Sequence, residues 1–193
     1  MKQYAGAKAK GYEAARRKQA KWKWEDTTLR KVLARLGGEV QSVIDAPVGT
    51  GRFLGLYTVP VVGYDASADM LGVARTLHEG AALHKLDLVR TALPESADLV
   101  VSVRFLNLLN TPDALKALGH LLASARKYAL FTCRTANDSY RGPWRVGRVY
   151  IHKRKAIADA IERHGFQIQV LDSRIFPDNV GGEYNLLLVR RAA

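Results

Sequence analysis

The sequence predicts an α/β fold: one domain on a doubly wound, mostly parallel sheet with helices on both faces. Residues 42–66, SVIDAPVGTGRFLGLYTVPVVGYDA, hold a β-branched run ending in Asp45, a turn at Gly49-Thr50-Gly51, and a second run, Val59 to Gly63, closing on Asp65. Strand, tight turn, short helix and strand in that order make a βαβ unit. Further apolar runs alternate with helical patterns down the chain, giving five such units, and alternation of this kind predicts a parallel sheet. The run ADLVVSV (97–103) is apolar without a polar partner at every second position. Strands covered on both faces read this way.

Each element has a local cause. Residues 1 to about 23 are a Lys- and Ala-rich basic arm or lid, helical in part around Tyr12 to Lys21 and too poor in apolar side chains to fold alone, and residues 24–193 form the domain. A helix is expected from Asp26 or Thr27, with Leu29, Val32, Leu33 and Leu36 at helical spacing and Gly37-Gly38 as its stop. Strands are expected at about 42–46 and 60–65, with a short helix at about 51–57 between them. Ser67 or Ala68 opens the next helix, which turns Met70, Leu71, Ala74 and Leu77 inward. A third strand near 81–85 leads to Asp87, and Thr111-Pro112 reads as a cap followed by proline at the first helical position, opening a helix to about 124. Tyr128 to Thr132 is a fifth strand, 134–150 an irregular Arg- and aromatic-bearing insertion, and 153–164 a helix stopped by Gly165. Two closing strands, Gln167–Ile175 and Tyr184–Arg190, are separated by a turn rather than a helix, so they pair antiparallel.

At 193 residues, 48% hydrophobic and 25% charged, the chain has the composition of a globular domain with a sizeable core. It has no apolar run of membrane-spanning length and no hydrophobic signal-peptide core at MKQYAGAKAK. The single cysteine, Cys133, excludes an internal disulfide and suits a reducing, cytoplasmic setting. Five histidines without paired ligand spacing predict no metal. The net charge of +12 is uneven: residues 1–36 carry eleven Lys or Arg against three acids, and Arg141, Arg145, Arg148, Lys153, Arg154 and Lys155 form a second cluster with no acid from 139 through 158. Such a field draws anions, whether phosphorylated metabolites, nucleic acid or an acidic membrane surface; a merely solubilising surface is the plainer account of any single lysine.

Ligands of open doubly wound sheets lie beyond the carboxyl ends of the strands. Glycines at 49 and 51 allow the close backbone approach that a Cβ would block, and an acid at the second strand tip, Asp65, can accept both hydroxyls of a ribose. A nicotinamide-binding fingerprint is not satisfied, because Leu54 stands where a third glycine is required.

Asp45, Gly49 and Gly51, with Tyr64-Asp65-Ala66-Ser67-Ala68-Asp69-Met70-Leu71, resemble motifs I and II of the class I S-adenosylmethionine-dependent methyltransferases, which have a Rossmann-like fold. Pro47 departs from the family's first glycine. The resemblance runs over about residues 25 to 190 and implies a seven-stranded sheet of order 3-2-1-4-5-7-6 with the last strand antiparallel. It implies S-adenosylmethionine as cofactor, with Asp45, Pro47, Gly49, Thr50 and Gly51 at its amino-acid end and Asp65 and Ala66 at the ribose. Met70, Asp87 and Leu88 would stand at the adenine, and Arg104 where sulfonium and acceptor meet, with Phe105 a further candidate. Tyr12-Glu13-x-x-Arg16 resembles the family's N-terminal segment that reaches the cofactor carboxylate, and Tyr12 and Trp24 would lie in an arm closing over it. Trp22 and Trp24 anchoring the arm on the core is the equal alternative.

No catalytic base is legible; Tyr140 and His152 are the weak candidates. The segment after strand four lacks the Asn/Asp-Pro-Pro-aromatic motif of amino-methylating DNA enzymes, and Cys133 in FTCRT reads as a buried thiol without a nucleophilic role. The expected function is methyl transfer to a small molecule bearing phosphate or carboxylate. Three alternatives stand beside it: a nucleic-acid (RNA) methyltransferase using the basic clusters, a peripheral lipid methylase, and a non-catalytic cofactor- or RNA-binding module.

Overall fold

In the computed structural model, residues 19–178 and 180–192 are described. The central sheet follows the order β3-β2-β1-β4-β5-β10-β9. Its parallel strands are β1 (Val43–Asp45), β2 (Val61–Asp65), β3 (Ala82–Lys85), β4 (Ala97–Ser102) and β5 (Ala125–Ala136). The closing strands β9 (Phe166–Arg174) and β10 (Glu183–Arg191) pair antiparallel, and β10 runs antiparallel to β5. This is the expected order and polarity.

Successive side chains of the inner strands serve opposite faces, as the pleat requires. On one face Val43, Leu99, Leu130 and Leu186 pack with Leu29, Val32 and Leu36 of helix α1 (Ala20–Leu36). On the other, Ile44, Val100, Phe131 and Leu187 pack with Leu118, Leu121 and Leu122 of α3 (Thr111–Ser124) and with Ile157 and Ile161 of α4 (Arg154–Arg163). All six residues of β4 are buried, the polar Asp98 and Ser102 with them.

Several local expectations need correction. Helix α1 begins at Ala20 rather than Asp26, and Asp26 sits inside it bonding Arg30 at 2.9 Å. The earlier start has a pattern behind it: Trp22, Glu25, Leu29, Val32 and Leu36 recur at intervals of three and four, and all are buried. The segment after the glycine turn folds only as a 3-10 turn, Leu54–Leu56. In α2 (Ala68–Leu77) the cap is Ser67, and Met70, Leu71 and Ala74 face inward, but Leu77 in the last turn is 55% exposed.

Helix α3 is capped by Asn110, whose side chain accepts from the Asp113 amide at 2.9 Å, so the helix starts one position earlier than expected, with Thr111-Pro112 inside its first turn. Strand β5 is longer than expected, reaching Ala136, where Thr135 pairs with His152 of β8 (His152–Lys153). The 134–150 insertion therefore starts inside the sheet, and it contains a small hairpin, β6 (Arg145–Val146) with β7 (Val149–Tyr150).

Removing the α3 cap leaves a helix N-terminal amide without its partner. Asn110→Ala should lower unfolding stability by about 1 kcal/mol, read as a shift of the urea midpoint at unchanged slope.

Candidate active site

The carboxyl ends of β1, β2 and β4 open into a cleft enclosing about 920 Å³ of non-protein space, counting its open mouth. Its floor is the segment after β1, Pro47 to Thr50; one side is Asp65, Ala66, Ser67 and Met70; the other is Val103, Arg104, Phe105 and Leu108. Leu86 and Leu88 close the far end, and Trp22, Arg52 and Phe53 form a further wall.

The turn takes its shape from backbone that only glycine adopts without strain. Gly49 has φ +59° and Gly51 φ +81°, and a Cβ on Gly51 would stand 2.7 Å from the His78 ring. Gly49 donates its amide to Asp65 at 2.9 Å, and Asp65 also accepts from Ser67 at 2.8 Å. One carboxylate thus ties the turn to the end of β2. Burial raises the Asp65 pKa, against those two amide bonds. Asp45 is 2% exposed and accepts from the Tyr57 hydroxyl at 3.0 Å. Burial pushes its pKa up to about 7, with the Tyr57 bond lowering it and Asp65 raising it further.

The fourth wall rests on Glu25, fully buried on α1. Arg104 Nε meets both its oxygens at 2.7 and 2.8 Å, Arg52 Nη1 donates to it at 2.7 Å, and the Tyr184 hydroxyl at 2.8 Å. Arg104 itself has φ +60°, the one described residue other than glycine with positive φ, and its amide donates to Thr132 Oγ1 at 2.7 Å. A residue held in that region is over-determined by its surroundings, and here the surroundings are Glu25 and Thr132.

Of the residues named from the sequence, Asp45, Pro47, Gly49, Thr50, Asp65, Ala66, Met70, Leu88, Arg104 and Phe105 line the cleft. Gly51 shapes the turn from behind. Asp87 does not line it; its carboxylate accepts from the Val89 amide at 3.0 Å and lies 3.7 Å from Arg90, as a turn residue does. Tyr12 falls outside the described residues. Trp24 donates to Asp172 at 3.1 Å and packs on Phe176 and Tyr184, so it anchors α1, whereas Trp22 lines the cleft.

Neither weak candidate for a base reaches the cleft. Tyr140 donates to the Pro143 carbonyl and packs on Trp144. His152 is fully buried with Nε2 3.0 Å from the Leu106 carbonyl and Nδ1 3.1 Å from Thr111 Oγ1. The carbonyl requires the proton on Nε2, which leaves Nδ1 to accept from the threonine. Cys133 is also fully buried, and burial alone pushes its thiol up to about 12.

Sequence reasoning missed Glu25, Arg52 and Phe53. A signal existed for Glu25, an acid on the apolar stripe of α1. For Arg52 there was none, since its partners come from α1.

The second basic cluster is less bare in space than in sequence. Arg154 pairs with Glu183 at 2.9 Å, Lys155 with Asp159 at 2.9 Å, and Lys153 lies 3.9 Å from Asp138.

Comparison with known proteins agrees with this geometry. Residues 44–125 match the family model described as a methyltransferase domain. Magnesium protoporphyrin IX methyltransferase of Synechocystis PCC 6803, with bound SAH, superimposes at TM-score 0.69 and 20% identity over 87% of this chain and 84% of that one. An amino pentose methyltransferase of Micromonospora echinaspora, SAM-bound and involved in calicheamicin biosynthesis, gives TM-score 0.68 and 18% identity over 94% and 96%. An S-adenosylmethionine-dependent methyltransferase of Clostridium acetobutylicum gives 0.68 and 14% over 95% and 96%. No curated protein matches in sequence. The chain has the class I, Rossmann-like methyltransferase fold, and residues 44–125 match the methyltransferase-domain model.

Burial lowers the His152 pKa despite the Leu106 bond, so the folded state favours the neutral ring. Its contribution to stability is present above the unfolded histidine value of about 6.5 and is lost as pH falls below it. The pH dependence of the urea midpoint below about 6.5 should flatten in His152→Gln.

Proposed function

We propose that this chain is a methyltransferase that uses S-adenosylmethionine and acts on a small molecule carrying negative charge. The observation that carries the reading is the placement of Asp65 and the Gly49 turn on one cleft at the carboxyl edge of the sheet. Two findings support the fit of the cofactor. Gly49 and Gly51 hold the turn in backbone that a side chain would strain, and the carboxylates at the ends of β1 and β2 sit on the same cleft.

In this reading Asp65 accepts from the ribose hydroxyls, and Asp45 faces the ammonium of the amino-acid end. Ala66, Met70, Leu86 and Leu88 cover the base with apolar surface, and Pro47 and Thr50 flank the amino-acid end. The cofactor supplies a methyl group on a strongly electrophilic sulfonium. The protein's part is then alignment and exclusion of water, which can supply most of the rate without a general base. Val103, Phe105 and Leu108 give the dry wall on which an acceptor would lie. His152 and Tyr140 are structural, and Cys133 stays a thiol. The basic arm, residues 1–23, and the partly compensated second basic cluster favour an anionic acceptor. A cytoplasmic setting goes with the lone reduced cysteine, and no described helix is long and apolar enough to cross a membrane.

Calorimetry with S-adenosylhomocysteine tests the reading, and no detectable binding would defeat it. Asp65→Ala should weaken that binding by about 1–3 kcal/mol through the orphaned sugar hydroxyls. A buried acid near neutrality adds a pH signature. A ligand ammonium favours the ionised Asp45, so affinity should rise with pH through about 7, with proton release on binding. Asp45→Asn should abolish that rise.

A further inference from the structure

Arg52 is the unexplained group of the cleft. Its side chain is 11% exposed, Nη1 and Nη2 are engaged by Glu25 and the Trp22 carbonyl, and Nε is buried with no hydrogen-bond partner among the described residues. Buried donors are nearly always paired, so an orphan on a cleft wall asks for an acceptor that a ligand would bring. The guanidinium lies 3.4 Å from the centre of the Trp22 ring and 4.3 Å from that of Phe53. Rings that close, with Glu25 on one end, fix its plane and remove the rotamer freedom an exposed arginine would lose on binding. Asp45 lies near enough to feel its charge. A carboxylate and a guanidinium lining one cleft complement a zwitterion, the first taking an ammonium and the second a carboxylate.

We propose that Arg52 is the carboxylate-binding side chain of this cleft, with Glu25 and Trp22 as its positioning residues. The inference rests on the cofactor reading above. Two ligands carry such a group: the amino-acid end of the cofactor, and an acceptor bearing a carboxylate. The planar fork of arginine suits either, and a lysine would supply charge without the paired donors. Glu25 acts at one remove. It aims Arg52 through Nη1 and holds Arg104 in its left-handed backbone on the same wall.

The test titrates wild type, Arg52→Gln and Arg52→Lys with S-adenosylhomocysteine, with 5′-methylthioadenosine, which lacks the amino-acid end, and with benzoate added to the S-adenosylhomocysteine complex. The expected result is a loss of roughly 10- to 100-fold for S-adenosylhomocysteine in both variants, with methylthioadenosine affinity unchanged. That outcome places the cofactor's carboxylate on Arg52. If both nucleosides bind the variants as tightly as wild type, while benzoate binds only the wild-type complex, the proposal holds with the acceptor as the source. Equal losses for the two nucleosides would show a merely structural arginine and overturn it, and so would no change with any of the three. Failure of the wild-type chain to bind either nucleoside would remove the cofactor reading and this inference together.

Discussion

Glu25 carries a charge into a fully buried position, and a charge there persists only if its partners are themselves charged and close. It has two guanidiniums and a phenol, and they come from three separate places: the turn after β1, the end of β4, and β10. Helix α1 therefore cannot shift from the sheet without stranding either a carboxylate or two arginines in a low-dielectric wall. Trp22 and Lys21 ride on the same turn of helix, the first over Arg52 and the second paired with Asp178 at 2.7 Å. The cleft has a fourth side because of this one carboxylate, and the unusual backbone of Arg104 is held in place by the same contact.

The opposite side of the cleft is built on a different logic. There the parallel sheet places the ends of β1 and β2 side by side, with Asp45 opposite Gly63 in the register and Asp65 two residues on. The two acids sit near enough to raise one another's cost of ionisation, and Tyr57, Gly49 and Ser67 offset part of that cost by hydrogen bonding. A cleft lined by two buried carboxylates and a guanidinium has polarity along its length. The apolar side chains between them, Met70, Leu86 and Leu88 at one end and Phe105 and Leu108 at the other, keep the dielectric low enough for that polarity to matter.

Charge read along the chain and charge read in space diverge. Residues 139–158 hold six cations and no acid, yet Glu183 from β10, Asp159 from α4 and Asp138 at the edge of the stretch come back to three of them. Net charge is a property of composition, but a field is a property of arrangement, and only the second bears on what approaches the cleft.

Which parts were legible follows from the range of the interactions involved. The βαβ unit, the acids at strand ends, the apolar β4 and the closing antiparallel pair are written in near neighbours: alternation, β-branching, and glycines where φ must be positive. Those patterns placed the glycine turn and Asp65 at neighbouring strand ends, whereas the sheet order came from the family resemblance. The start of α1, the cap at Asn110 and the short 3-10 turn after Gly51 were decided by packing that overrides local preference, since a stripe through Trp22 and Glu25 gains burial that a capping signal at Asp26 cannot match. The inertness of His152 depended on the carbonyl of Leu106 and the hydroxyl of Thr111, more than forty positions away. The Arg52 wall likewise exists only when α1 lies across the turn, because its partners Glu25 and Trp22 belong to that helix and share no local pattern with it. Sequence periodicity reports which face a residue is on; which charges meet across two faces is settled by the tertiary fold.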